Sequence, residues 1–200
     1  GLILAETRNI ARTHAAMMEH VWLKDFPNGE DIPELEGRTV GIVGAGAIGQ
    51  LVMKFLTGMD ATCVFYDPYC RSSPWGTKVE DLADLVAASD VLSIHSRLSA
   101  DTHHLIDRDL LARMKPSAIL VNTARSGLVD EEALLDCLEA GRIMGAAIDT
   151  FDREPLPADS RWLTLRNVTI TSHLAGSTKD AFRKTPRMLS KRILTALEEG

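Results

Sequence analysis

A chain of 200 residues, 45% apolar and 25% charged with a mean hydropathy near zero, has the composition of one compact domain or of one domain with a small appendage. Its 28 acidic and 22 basic residues give a net charge of -6 and a pI near 5.5, which argues against the broad positive field that nonspecific nucleic-acid binding needs. No apolar run reaches the roughly 18 residues that span a bilayer. The opening GLILAETRN carries its arginine after the apolar stretch, unlike a secretory leader, so a cytoplasmic protein with no membrane partner is expected. Cys63, Cys70 and Cys137 are odd in number and lack metal-type spacing, so neither a disulfide framework nor a metal site is expected.

In chain order, Ile3, Ile10, His14, Met17, Met18 and Val21 recur at helical spacings and predict one amphipathic helix to about Trp22. The segment DFPNGEDIPELEG, with two prolines, an Asn-Gly pair and five acidic residues, reads as a linker over 25–37. Six short apolar runs follow: Thr39 to Val43, Thr62 to Tyr66, Val91 to His95, Ala118 to Asn122, Gly145 to Asp149 and Val168 to Thr171. Their lack of strict alternation is what strands covered on both faces require. Between them AIGQLVMKFLTG, VEDLADLVAAS, RDLLARM and DEEALLDCLEAG have helical periodicity. The alternation predicts a doubly wound parallel α/β sheet over 38–177, whose ligands sit beyond the carboxyl ends of the strands. A last helix over 178–200 places Ala181, Met188, Leu189, Ile193 and Leu197 on one face. Trp75 and Trp162 fall in loops and are candidates for an interface.

Gly44-Ala45-Gly46-Ala47-Ile48-Gly49 forms G-x-G-x-x-G directly after the first strand and at the opening of a helix. In a Rossmann-type unit the first glycine makes the tight turn, the second admits a diphosphate and the third lets helix and strand pack closely. Asp67 ends the next strand, 18 residues after Gly49, where a carboxylate accepts ribose hydroxyls and repels a 2'-phosphate. This order predicts NAD rather than NADP, with S-adenosylmethionine binding as the competing reading.

Arg125, Glu154 and His173 each follow a later strand and so fall on the ligand side of the sheet. If the strands leading to Glu154 and His173 are neighbours about 4.8 Å apart, the two side chains can meet. A carboxylate then orients the imidazole for proton transfer. The Arg125 guanidinium suits a substrate carboxylate. Taken singly, each also fits a surface or strand-end role. His95 ends the third strand and is as suited to lining a pocket as to packing.

VGIVGAGAIG, VNTARSGLVDEEAL, GAAIDTFDREPLP and TSHLAGST closely resemble the D-2-hydroxyacid dehydrogenases, the group that includes phosphoglycerate dehydrogenase, over nearly the whole chain. The resemblance implies that Arg125 binds the substrate carboxylate and carbonyl and that Glu154 and His173 form the acid/base pair. It implies that Asp149 contacts the nicotinamide amide and Asp67 the ribose. It places Gly44, Gly46, Ala47, Ile48, Gly49, His95, Thr123, Ala124 and His173 around NAD. The expected reaction is hydride transfer between NAD(H) and a small 2-hydroxy or 2-oxo acid of the phosphoglycerate, glyoxylate or hydroxypyruvate kind. Formate is argued against, since that branch carries glutamine where Glu154 stands.

Three positions depart from the family pattern. Ala47 stands where arginine is frequent, Arg97 where proline is usual after the third strand, and Ser172 where the histidine is usually preceded by proline. The family's substrate-domain segment ahead of the first helix has no counterpart, so the chain is expected to be the cofactor half of a two-domain enzyme. The family also pairs through this helix, so residues 1–24 are expected to support a homodimer. The alternatives are an NAD(H)-sensing module of the corepressor kind, without turnover, and an inactive fragment.

Overall fold

Among the described residues seven strands lie side by side in one sheet, every neighbouring pair parallel. This arrangement comes from a computed structural model that describes residues 1–24 and 34–198. In chain order the elements are α1 (Leu2–Thr7), α2 (Ile10–Met18), β1 (Thr39–Val43), α3 (Ala47–Thr57), β2 (Thr62–Tyr66), β3 (Thr77–Lys78) and α4 (Leu82–Ala88). Then come β4 (Val91–Ile94), α5 (Arg108–Leu111), β5 (Ile119–Asn122), α6 (Glu131–Glu139), β6 (Gly145–Ile148), β7 (Val168–Ile170) and α7 (Lys179–Glu198). The order across the sheet is β3-β2-β1-β4-β5-β6-β7. All six expected strands form, and a two-residue strand, β3, extends the β2 edge. Thr77 and Lys78 have too little apolar content to be read as a strand; pairing with Val64 and Phe65 creates it.

The sheet is covered on both faces, which explains why its strands read as continuous apolar runs. Ile3 of α1 and Met53 and Leu56 of α3 pack with Val40, Ile42, Ile119 and Val121 on one side. Leu85 and Val86 of α4, Leu111 of α5 and Leu134 and Leu138 of α6 pack with Leu92, Ile94 and Leu120 on the other. Asp81, Asp107 and Asp130 start α4, α5 and α6 by accepting hydrogen bonds from first-turn N–H groups, the usual helix N-terminal signal. Trp162 is fully buried, edge-on to Phe151 at 5.8 Å, so it belongs to the core and not to an interface. Trp75 lies beneath Lys54. Cys63 and Cys137 are buried free thiols, and burial pushes Cys63 up to about 11.

The first segment departs from expectation. It is two helices, broken where Asn9 adopts a left-handed backbone (φ 53). Ile3 is buried, but Ile10, Met17, Met18 and Val21 on or just after α2 are at least half exposed. The break is fixed by buried polar chemistry that helical periodicity does not register: Arg12 donates to Asn9 Oδ1 at 2.8 Å, to Glu6 Oε1 at 2.6 Å and to the Arg166 carbonyl at 2.6 Å. Of the expected linker, residues 25–33 lie outside the described part. Leu35, assigned to it, is buried against the α1–α3 face of the sheet. Helix α7 runs 20 residues with its apolar side chains exposed. Among the described residues no helix is long and apolar enough to cross a membrane.

Candidate active site

The glycine turn follows β1 in the interior of the sheet. Gly44 has φ +96, and a β-carbon there would lie 2.7 Å from the Ser96 nitrogen, so the turn and the segment after β4 are packed backbone to backbone. A β-carbon on Gly49 would lie 2.1 Å from the Gly44 carbonyl oxygen, which is the close helix–strand approach that the third glycine permits. Gly46 is different: among the described residues nothing lies within 4 Å of its missing side chain. It caps α3 without a side-chain hydrogen bond, so the open side of the helix N-terminus is free for an anion. These three environments fit a dinucleotide's diphosphate.

Asp67 stands just beyond β2 and reaches back to this turn. Its Oδ2 accepts from Ala45 N–H at 2.8 Å, and its Oδ1 accepts from Tyr69 N–H at 2.8 Å and Cys70 N–H at 2.9 Å. Burial alone would raise its pKa, but these backbone donors and the nearby Lys78 outweigh it and hold the carboxyl below the usual aspartate range.

A cleft of about 800 Å³ opens over the carboxyl ends of β4, β5, β6 and β7. Ile48, His95, Thr123, Ala124, Arg125, Asp149 and His173 all contribute to its wall, while Gly44, Gly46, Ala47 and Gly49 belong to the glycine turn and the start of α3 beside it, with Asp67 bonded to that turn from the end of β2. A second cavity of about 760 Å³ sits at the opposite, amino-terminal edge of the sheet, far from these groups. His95 is half-buried, with Nε2 2.9 Å from Ser93 Oγ. Burial lowers its pKa to about 4, so the ring is neutral at physiological pH.

Strands β5, β6 and β7 are consecutive neighbours, so the loops that carry Arg125, Glu154 and His173 adjoin. His173 Nδ1 and Glu154 Oε2 are 2.8 Å apart. The other Glu154 oxygen accepts from Phe151 N–H at 2.9 Å, which fixes the carboxylate from behind. The hydrogen bond with His173, then that from Phe151, lowers the Glu154 carboxyl below the usual glutamate range. Glu154 also borders a largely apolar hollow of about 510 Å³ that shares His173 with the main cleft.

Arg125 is exposed and has no ion-pair partner among the described residues; its Nη1 donates to the Ala124 carbonyl at 2.6 Å. Sequence reasoning missed what shapes this turn. Buried Asn122 donates through Nδ2 to the Arg125 carbonyl at 2.9 Å and accepts from Ala124 N–H at 3.0 Å. An amide at a strand's last position is the signal that could have found it. Asp149 also does more than expected. It is buried, accepts from Thr171 Oγ1 and from Leu174 and Ala175 N–H at 3.0 and 2.9 Å, and so laces the His173 loop to the end of β6.

With this geometry in place, likeness to known proteins is informative. Residues 1–175 match the family described as D-isomer specific 2-hydroxyacid dehydrogenase, NAD binding domain. The chain belongs to this family. It is 39% identical over 200 residues to the D-3-phosphoglycerate dehydrogenase of Mycobacterium tuberculosis, covering 98% of this chain and 37% of that one. It is 36% identical over 206 residues to the glyoxylate reductase of Thermofilum pendens, covering 99% of this chain and 60% of the relative. Among solved structures, an acyclic imino acid reductase in complex with NADPH and D-Arg superposes with a TM-score of 0.87 at 28% identity, covering 98% of this chain and 62% of that one. The chain thus spans between about a third and two thirds of the length of these proteins. The family's cofactor is NAD, and its members act on small 2-hydroxy acids.

Proposed function

We propose that this chain binds NAD(H) and carries the proton-transfer and carboxylate-binding groups of a D-2-hydroxyacid dehydrogenase acting on a phosphoglycerate-, glyoxylate- or hydroxypyruvate-like substrate. The observation that carries the reading is the 2.8 Å contact of His173 Nδ1 with Glu154 Oε2 beside the cleft that Arg125 lines. Gly44, Gly46, Ala47, Ile48 and Gly49 hold the diphosphate, and Asp67 faces the adenosine ribose and disfavours a 2'-phosphate. His95, Thr123, Ala124 and Asp149 shape the nicotinamide side. Bound NAD(H) supplies the hydride donor or acceptor.

The chain's own groups divide the remaining work. Arg125 grips the substrate carboxylate through paired N–H donors and draws electron density from the adjacent carbonyl. Glu154 fixes the proton of His173 on Nδ1, which leaves Nε2 as the nitrogen that gives a proton to the carbonyl oxygen during reduction and recovers it during oxidation. The apolar side chains left exposed on α2 support a homodimer formed through residues 1–24, and the free thiols of Cys63, Cys70 and Cys137 support a cytoplasmic location. Residues 38–177 form the cofactor domain in this reading, with 178–200 as an appended helix.

Titration of the chain with NADH, followed by fluorescence with NADPH as control, tests the cofactor assignment. Turnover with glyoxylate and hydroxypyruvate then tests the reaction. Selective NADH binding with turnover supports the full reading, binding without turnover reduces it to a cofactor-sensing module, and no binding rejects it.

A further inference from the structure

We infer that Arg97 supplies the positive charge that meets the dinucleotide's diphosphate, a role that the glycine turn itself leaves unfilled. The inference rests on the cofactor reading above and extends it to a residue outside the glycine motif. A diphosphate brings two negative charges to a helix end equivalent to about half a positive one. The first turn of α3, Ala47-Ile48-Gly49-Gln50, contains no cation. Gln50 is already engaged, donating to the Ala45 carbonyl at 3.3 Å and accepting from Ser73 Oγ at 2.7 Å. An anion stands at the same turn, since Asp67 Oδ2 lies 2.8 Å from Ala45 N and is held ionised. The turn by itself therefore provides space and N–H donors with an unfavourable local charge.

The segment after β4 corrects this. Its backbone at His95 and Ser96 lies against Gly44, so the next residue, Arg97, emerges alongside the turn and lines the cleft. Its guanidinium is exposed and makes no side-chain hydrogen bond or ion pair among the described residues, so it loses no existing partner on meeting a phosphate. The cleft's other guanidinium, Arg125, follows β5, one strand further from β1, and serves the substrate carboxylate. His95, on the same segment, is neutral at physiological pH and cannot substitute. A planar fork with several donors is also the side chain best matched to phosphate oxygens.

The test is fluorescence titration of the full chain with NADH at low and high salt, for the native protein, Arg97→Met and Arg97→Lys. Competition by adenosine, which lacks phosphate, serves as the second probe. Loss of a charge-assisted contact predicts a Kd for Arg97→Met about tenfold or more above native at low salt, with the gap narrowing at high salt. Arg97→Lys should fall between, and adenosine should compete equally in all three. Native-like NADH affinity in Arg97→Met overturns the proposal while leaving the cofactor reading intact, and directs Arg97 toward an anionic group on the substrate instead. An equal loss of adenosine binding overturns it in favour of a merely structural role. Failure of the native chain to bind NADH overturns both.

Discussion

Thr169 Oγ1 donates to Glu6 Oε2 at 2.7 Å, joining the first helix to the last strand across 163 positions of sequence. Glu6 is fully buried, and its other oxygen pairs with Arg12 at 2.6 Å. Gly145 of β6 makes the room, since a β-carbon there would lie 2.3 Å from Glu6 Oε1. The site's outermost strand is therefore tied down by a charge pair contributed from the start of the chain.

Removing only the cation should show what that tie is worth. Arg12→Met leaves a buried carboxylate without its partner and should cost about 3 kcal/mol, or roughly 6–12 °C in Tm by calorimetry. Burial outweighs Arg12 and Thr169 and raises the Glu6 pKa above the ordinary glutamate value. A carboxyl of that kind binds its proton more tightly in the folded state, so its contribution to stability falls as pH rises through the window above that value. The deficit of Arg12→Met should accordingly shrink as pH is lowered from 8 toward 5. A deficit independent of pH would show that Glu6 is not the group responsible.

Two glycines of the same turn should separate binding from stability. Gly49→Ala places a methyl against the Gly44 carbonyl and should destabilise the domain by about 1–3 kcal/mol or more. Gly46→Ala meets none of the described residues, so thermal stability should change little while NADH affinity falls several-fold. The paired readouts are the melting temperature and the NADH titration.

Asp67→Asn should lessen repulsion of a 2'-phosphate while retaining one acceptor for Tyr69 and Cys70 N–H. Preference for NADH over NADPH, measured as a ratio of Kd values, is expected to fall at least about tenfold. An unchanged ratio would assign selectivity elsewhere.

On the proposed acid/base role, His173→Ala should abolish turnover while leaving the NADH Kd within about twofold. Glu154→Gln should lower turnover less severely and alter its pH profile. Both partners are more than a third exposed, so the pair contributes little to stability, no more than about 2–4 °C. The lowered Glu154 carboxyl means that this small gain is present above the ordinary glutamate pKa and disappears as pH falls through the folded value. The Tm difference between native and Glu154→Gln should therefore narrow as pH falls below the ordinary glutamate value of about 4.3.

What could be read in the sequence follows from where each signal resides. The strands, the crossovers, the glycine turn and the placement of Arg125, Glu154 and His173 at strand ends are local patterns, and a parallel sheet turns strand ends into one edge. The break at Asn9 depended on Glu6, Arg12 and Arg166 meeting in space, which no periodicity encodes. Strand β3 needed β2 as a template. Trp162 looked like a loop residue because its core partner Phe151 lies in another loop. The supporting roles of Asn122 and Asp149 likewise emerge only when their backbone donors and acceptors are in view.

Strand order distributes these groups unequally. The glycine turn grows from β1, flanked on both sides, whereas His173 follows β7, a three-residue strand with a single neighbour among the described strands. Opening an outer strand breaks one ladder; opening an inner one breaks two. On gentle warming or mild denaturant the His173 end of the sheet should thus loosen before the glycine turn, so on the proposed function proton transfer should fail before cofactor binding does. Amide exchange should reveal that hierarchy as earlier deuterium uptake across 168–175 than across 39–49.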